Sequence, residues 1–185
     1  IEFMAKRFSP TAKPQLLDWS EFLNQPFKGE AKASDEDMDR DRRLIKVVNN
    51  YFNHLPFISD RTHWAAEDYW ASPVEMVASN GGDCEDFSIA KYFALKELGV
   101  PITRIRITYV KAMRRIQERL VVEAHMVLAY YPTQDAEPLI LDNLVNEIKP
   151  SSARTDLVPV YSFNDDDVLI VASGRNGGSP TQIRL

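Results

Sequence analysis

The sequence predicts an α+β protein with its helices and strands in separate stretches of chain. Apolar residues recur at helical spacing through the first hundred positions, and alternation replaces that period after Pro101. No internal repeat and no long Gly/Ser linker interrupts the change.

Residues 1–14 are polar with two prolines and are expected to be a flexible segment, opening on an IEFM stretch that resembles a cloning scar. A single domain is expected over 15–172, and the Gly-rich 173–185 should form a flexible tail. Ser34-Asp35-Glu36-Asp37 precedes Met38, Leu44, Ile45, Val48, Tyr51 and Phe52, a capped amphipathic helix of about six turns ending near Pro56. Ser72-Pro73 starts a helix with proline at its first position and a short apolar face of Val74, Met76 and Val77. Asn80-Gly81-Gly82 stops it. Asp83 is a natural N-cap for the next helix, in which Phe87, Ala90, Phe93 and Ala94 recur until Gly99-Val100-Pro101.

Ile105, Ile107 and Tyr109 then alternate with Arg104, Arg106 and Thr108, the pattern of a half-buried strand. Further strands are expected at Leu120 to Tyr131, Pro138 to Val145, Leu157 to Phe163 and Val168 to Ala172.

At 185 residues, 44% hydrophobic and 26% charged, the chain has an ordinary globular composition. Its net charge of -5 and pI near 5.3 leave no basic field for nucleic acid or an anionic membrane surface. The local run Arg104, Arg106, Lys111, Arg114, Arg115 reads as the wet face of a strand and its turn. No apolar run approaches the roughly 18 residues of a membrane span, so no direct insertion is expected, and no secretory signal opens the sequence. One cysteine excludes an internal disulfide and a CxxC metal knuckle.

That cysteine, Cys84, stands among Asp83, Glu85 and Asp86 at a helix start. The helix end lowers a thiol's pKa, whereas neighbouring carboxylates oppose the thiolate. A nucleophile needs a base, and the base an orienting acceptor. His125 in VVEAHMVLAYY and Asp142 in LILDNL are the candidates, and His54 and His63 compete as bases. His125 shares a strand face with Glu123 and Val127, while Val122, Ala124, Met126 and Leu128 form a wholly apolar face. An acid in so apolar a strand needs a donor, and an imidazole N–H would serve. The acids around Cys84 admit two readings, helix capping or a Ca²⁺ site that would also cancel the charge opposing the thiolate.

The stretch DYWASPVEMVASNGGDCEDFSIAKYFALKELGV, with AHMVLAY and LILDNL in the same order, resembles the bacterial transglutaminase-like cysteine proteinases of the periplasmic LapG type over roughly residues 40–175. The resemblance implies a papain-like, transglutaminase-like core, with a Cys-bearing helix against an antiparallel sheet bearing His and Asp. It places Cys84 on the nucleophile, His125 on the general base and Asp142 on the orienting acid, and it places Asp83, Glu85 and Asp86 in a Ca²⁺ site needed for activity. It further implies a periplasmic endopeptidase that cuts a di-alanine bond in the N-terminal region of a large surface adhesin, promoting biofilm dispersal. The implied regulator is the periplasmic domain of an inner-membrane cyclic di-GMP receptor. Trp70 and Asn80 are positional candidates for a second oxyanion donor, with packing an equal reading for Trp70. The alternatives are an acyl transferase working through the same thioester, a calcium-stabilised binding module without catalysis, and a metal hydrolase, for which the ligands lack the spacing.

Overall fold

Six helices precede any strand among the described residues, which in this computed structural model are 1–8, 11–25, 35–170 and 181–184. The chain divides into two compact units, Ile1–Val100 and Pro101–Leu185.

The first unit is helical: α1 (Glu2–Phe8), α2 (Ala12–Asn24), α3 (Asp35–Asn53), α4 (Asp60–His63), α5 (Pro73–Ser79) and α6 (Cys84–Glu97). Helix α1 and the first residues of α2 fall within 1–14, the stretch expected to be flexible, and Leu16 and Phe22 further along α2 are buried. The Ser34 cap expected for α3 lies outside the described residues. Leu44, Ile45, Val48 and Phe52 form the buried stripe of α3, and Arg40 donates to the Leu98 carbonyl at the end of α6. In α6, Phe87, Ala90 and Ala94 are buried as their spacing predicts, but Phe93 is 46% exposed.

Two predicted helix ends are built as expected. Ser72 and Glu75 form a reciprocal capping box at α5, with Pro73 next in line. Asn80 closes α5 in the left-handed region (φ 59°), and the Gly81 amide reaches back to the Met76 carbonyl at 3.1 Å. The following glycines are required by close approach. Gly81 has φ 148°, and a Cβ there would stand 2.6 Å from the Pro56 carbonyl oxygen. A Cβ on Gly82 would meet Asp86 Oδ2 at 2.5 Å. The first contact accompanies a parallel bridge between Phe57 and Gly82, closed by Ile58 N–H to Gly82 O at 2.8 Å, and the second comes from Asp86 in the first turn of α6.

The second unit is a seven-stranded antiparallel sheet in the order β4-β3-β2-β1-β5-β6-β7. Its strands are β1 (Ile105–Ile116), β2 (Arg119–Tyr130), β3 (Leu139–Leu141), β4 (Lys149–Pro150), β5 (Leu157–Phe163), β6 (Asp167–Ile170) and β7 (Thr181–Arg184). The last of these lies in the stretch expected to be a loose tail, while residues 173–180 of it lie outside the described residues.

Two expectations from alternation are corrected. Arg106 does not face water: it is buried and paired with Asp167, and its Nε donates to Ser162 Oγ at 3.1 Å. Alternation assigns one strand face to solvent, and here Ile105 to Thr108 are buried on both faces. Conversely, the face of Val122, Ala124, Met126 and Leu128 is divided. Met126 and Leu128 are buried, but Val122 is 56% exposed. Neighbouring strands pair with β1 only over Ile107–Ala112 and with β2 only over Leu128–Tyr130. The outer half of the hairpin therefore projects beyond its neighbours. Its two-residue turn places Gln117 and Glu118 at φ 46° and 65°, the mirror-image geometry that matches strand twist.

Candidate active site

In the first unit, Asp83 occupies the N-cap of α6 with extended backbone (φ -108°, ψ -164°), which makes Cys84 the first helical residue. The half-buried Cys84 Sγ lies 3.0 Å from Glu85 Oε2, so the thiol donates to a carboxylate. The helix end favours the thiolate and that carboxylate opposes it.

Asp83 and Glu85 are joined by a residue that sequence reading missed. Asp60 at the start of α4, Asp83 and Glu85 each present an oxygen within 4.8 Å of the others, the one such acidic group among the described residues. The bridge between Phe57 and Gly82 carries Asp60 to this place, twenty-three positions before Asp83. Asp60 Oδ1 and Asp83 Oδ1 are both buried without a hydrogen-bond partner, an arrangement costly to like-charged acids. Burial, the hydrogen bond and charge of Glu85, and the charges of Asp60 and Asp86 push Asp83 up to about 8. Three carboxylates, two of them with an orphaned oxygen, match the donors Ca²⁺ takes.

Asp86, expected in the same set, is fully buried and turned to backbone amides. Its Oδ1 accepts from Ala71 at 2.7 Å and its Oδ2 from Asp83 at 3.3 Å. Burial raises its carboxyl to about 7 despite those bonds. Of the two oxygens, Oδ2 is the more weakly held, since 3.3 Å exceeds an ordinary N–H···O distance.

In the second unit, His125 near the middle of β2 and Asp142 just beyond the end of β3 meet in a buried pair, His125 Nε2 to Asp142 Oδ1 at 2.8 Å. β3 is shorter than its apolar run suggested, and Asp142, just past its last residue, accepts the Leu144 amide at 2.9 Å. Its other oxygen is held by Arg154 Nη2 at 2.7 Å, and Arg154 also forks onto Asp156 through Nε at 3.0 Å and Nη2 at 2.7 Å. Burial alone would raise the Asp142 carboxyl. The bond and charge of His125, the Leu144 amide and Arg154 prevail and hold it down at about 2. Arg154 carries no sequence signal, because an arginine two residues before an aspartate reads as surface. A carboxylate fixed in this way selects the imidazole tautomer with its proton on Nε2 and leaves Nδ1 to act as a base.

The competing histidines lack such a partner. His54 Nδ1 lies against the Asn50 carbonyl, and His63 stacks on Trp64 at 4.6 Å between ring centres, its pKa lowered by burial. Of the positional oxyanion candidates, Asn80 uses its backbone N–H to close α5. Trp70 is 48% exposed, on the wall of a groove of about 640 Å³ with Trp19 and Phe93.

The family model described as bacterial transglutaminase-like cysteine proteinase matches residues 17–159. Calcium-bound LapG of Legionella pneumophila is 37% identical, with a TM-score of 0.73 over 96% of this chain and 88% of that one. EGTA-treated LapG of the same organism is 36% identical, with a TM-score of 0.73 over 95% and 86%. A sequence comparison with curated proteins gives no match. The fold is thus α+β of the transglutaminase-like kind, as the resemblance implied.

Proposed function

Because the chain belongs to the bacterial transglutaminase-like cysteine proteinase family, we propose that it is a calcium-dependent endopeptidase working through Cys84, His125 and Asp142. The observation that carries this reading is the buried His125–Asp142 pair, locked by Arg154, in a chain whose one thiol starts a helix.

Asp142 accepts from Nε2 and stabilises the imidazolium that forms when His125 takes the Cys84 proton. The Cys84 thiolate attacks the scissile carbonyl carbon, and the backbone N–H groups at the start of α6, including that of Cys84, stabilise the oxyanion. His125 then delivers its proton to the leaving amine, and the C–N bond breaks to leave a thioester on Cys84. A water deprotonated by His125 hydrolyses the thioester and restores the thiol.

Asp83, Glu85 and Asp60 are the side chains we assign to Ca²⁺, with Asp86 contributing through its weakly held Oδ2. When bound, the ion would neutralise the acids that oppose the thiolate and pin the entry to α6. The calcium-bound state of LapG supports that choice of ion. The resemblance carried by the GDCEDFSIAKY stretch is our ground for proposing further a periplasmic enzyme that cuts a di-alanine bond in the N-terminal region of a large surface adhesin. On the same ground we propose regulation by the periplasmic domain of an inner-membrane cyclic di-GMP receptor.

The deciding assay incubates the protein with a purified adhesin N-terminal fragment in Ca²⁺, in chelator, and in chelator followed by excess Ca²⁺, beside Cys84→Ala. Cleavage that stops with chelator, returns with Ca²⁺ and is absent from the variant is the expected result. Cleavage indifferent to chelator would remove the ion from the reading. Cleavage by Cys84→Ala would remove the nucleophile.

A further inference from the structure

The hairpin of β1 and β2 runs out past the strands that flank it. On the side of β2 away from β1, β3 pairs only with Leu128–Tyr130. Among the described residues no other backbone bond reaches Arg119–Ala124 on that side. Alternate residues of a strand turn their N–H and C=O groups to opposite neighbours, so this stretch leaves a row of donors and acceptors to water. The row is accessible along its length: Val121 is half-buried and the others are exposed, Leu120 to 64%.

Such an edge is a template for a further strand, and proteins ordinarily blunt it with charge, proline, a bulge or a short strand. Here β2 is 12 residues long, holds no proline, and presents Leu120 and Val122 beside the open edge. Those two share one face of the hairpin with Arg115 and Met113, their partners across the ladder. On the other face Glu123 is matched by Arg114 at 3.5 Å, which leaves Arg119 as the charge that an added strand would meet. Over residues 111–123 the hairpin sets Lys111, Arg114, Arg115 and Arg119 against Glu118 and Glu123, in a chain whose net charge is -5. A strand apolar on one face and acidic on the other complements it. A lipid surface has no amides and carbonyls to pair with the row.

The edge also leads to the candidate site. His125 stands three residues beyond Val122 on the same strand, about 10 Å away at the rise of a strand. From the open edge, its side chains and this continuity, we infer that Arg119–Ala124 is an exosite for the protein substrate. An extended substrate segment, apolar on one face and acidic on the other, adds there as a strand. The occupant's identity rests on the endopeptidase reading above, whereas its binding can be measured without cleavage.

The test titrates the full chain carrying Cys84→Ala, isotope-labelled, at pH 7 with a capped octapeptide alternating valine and glutamate. A second titration uses one alternating valine and lysine. The expected result is saturable shifts over Arg119–Ala124, with hydrogen exchange slowed at every second amide, the alternation that a paired edge imposes. The acidic peptide should bind about tenfold more tightly than the basic one. Leu120→Lys and Val122→Lys together, both at exposed positions, should weaken the acidic peptide about tenfold, and Arg119→Glu should reverse the preference. With Cys84 intact, the acidic peptide should raise KM for the adhesin fragment and leave kcat unchanged, as should Val122→Lys. Equal affinity for the two peptides, or shifts confined to other surfaces, would overturn the edge as a site. An edge that binds the peptide while KM stays fixed would overturn the substrate as its occupant. Binding without any cleavage of the fragment would instead overturn the endopeptidase reading, and the occupant with it.

Discussion

Arg154 holds Asp142 by the oxygen that His125 does not use, at 2.7 Å against 2.8 Å on the other side. The aspartate is thereby fixed at both oxygens, and the imidazole it meets has one orientation. Arg154→Ala should lower kcat for cleavage by roughly 10- to 100-fold with little change in KM, the pattern of lost positioning. It should also cost about 3 kcal/mol of stability, since a buried carboxylate loses its cation. Arg154→Lys should recover much of the stability and less of the rate, because an ammonium cannot reproduce the fork. Chemical denaturation and steady-state kinetics on the same variants separate the two effects. An unchanged kcat in Arg154→Ala would remove the positioning role.

Replacing Cys84 with alanine should abolish cleavage and leave the melting temperature within a degree or two, and residual turnover above about 1% would sink its role as nucleophile. His125→Ala should lose activity to a similar degree. Asp142→Asn should cost less, since orientation is one component of the set.

The cation site offers a sharper test, because one of its residues was not visible in the sequence. Asp60→Asn and Asp83→Asn should each weaken Ca²⁺ binding by about tenfold or more, near 1.4 kcal/mol per decade by calorimetry. Asp86→Asn should weaken it as well and also lower stability in chelator, because Asp86 supports the Ala71 and Asp83 amides. Affinity unchanged in Asp60→Asn would exclude that residue from the ligands.

The acids also set a pH dependence whose sign can be worked out. Asp83 at about 8 and Asp86 at about 7 lie above the ordinary 3.8 of an unfolded aspartate. The folded, metal-free protein therefore binds protons that the unfolded chain releases, so its stability falls as pH rises from about 4 to about 8. Bound Ca²⁺ keeps these groups ionised, which removes the decline and releases protons on binding. Asp142 works in the opposite sense. Its folded value of about 2 contributes stability that is present above 3.8 and lost as pH falls toward 2, on the order of 2 kcal/mol. Melting curves between pH 4 and 8, with and without EGTA, should show a slope in chelator that vanishes in Ca²⁺. The same slope in both would contradict the cation site.

Much of the site was legible because its signals are local. Ser72-Pro73, Asn80-Gly81-Gly82 and Asp83 mark helix ends through chemistry confined to a few residues, and Cys84 is positioned by them. The pairing of His125 with Asp142 could be suspected because an acid in LILDNL demands a donor. Asp60 and Arg154 could not, since each reaches its place through tertiary contacts that no spacing encodes. Arg106 misled for a related reason: alternation reports which residues are polar, and a polar residue matched by a distant Asp167 can be buried. Asp167→Ala should accordingly destabilise by about 3 kcal/mol, as expected for a buried charge left without its partner, which thermal denaturation would register.

That Cys84 is the single thiol of the chain gives the protein a built-in titrant. A thiol-selective electrophile such as iodoacetamide used near neutral pH has one thiol to reach. Moles of label incorporated then equal moles of reactive nucleophile, with no need to silence other cysteines by mutagenesis. The alkylation rate against pH reads the thiol's own ionisation, and the same rate in Ca²⁺ and in chelator reports what the acids beside it do to the sulfur, even before a substrate is in hand.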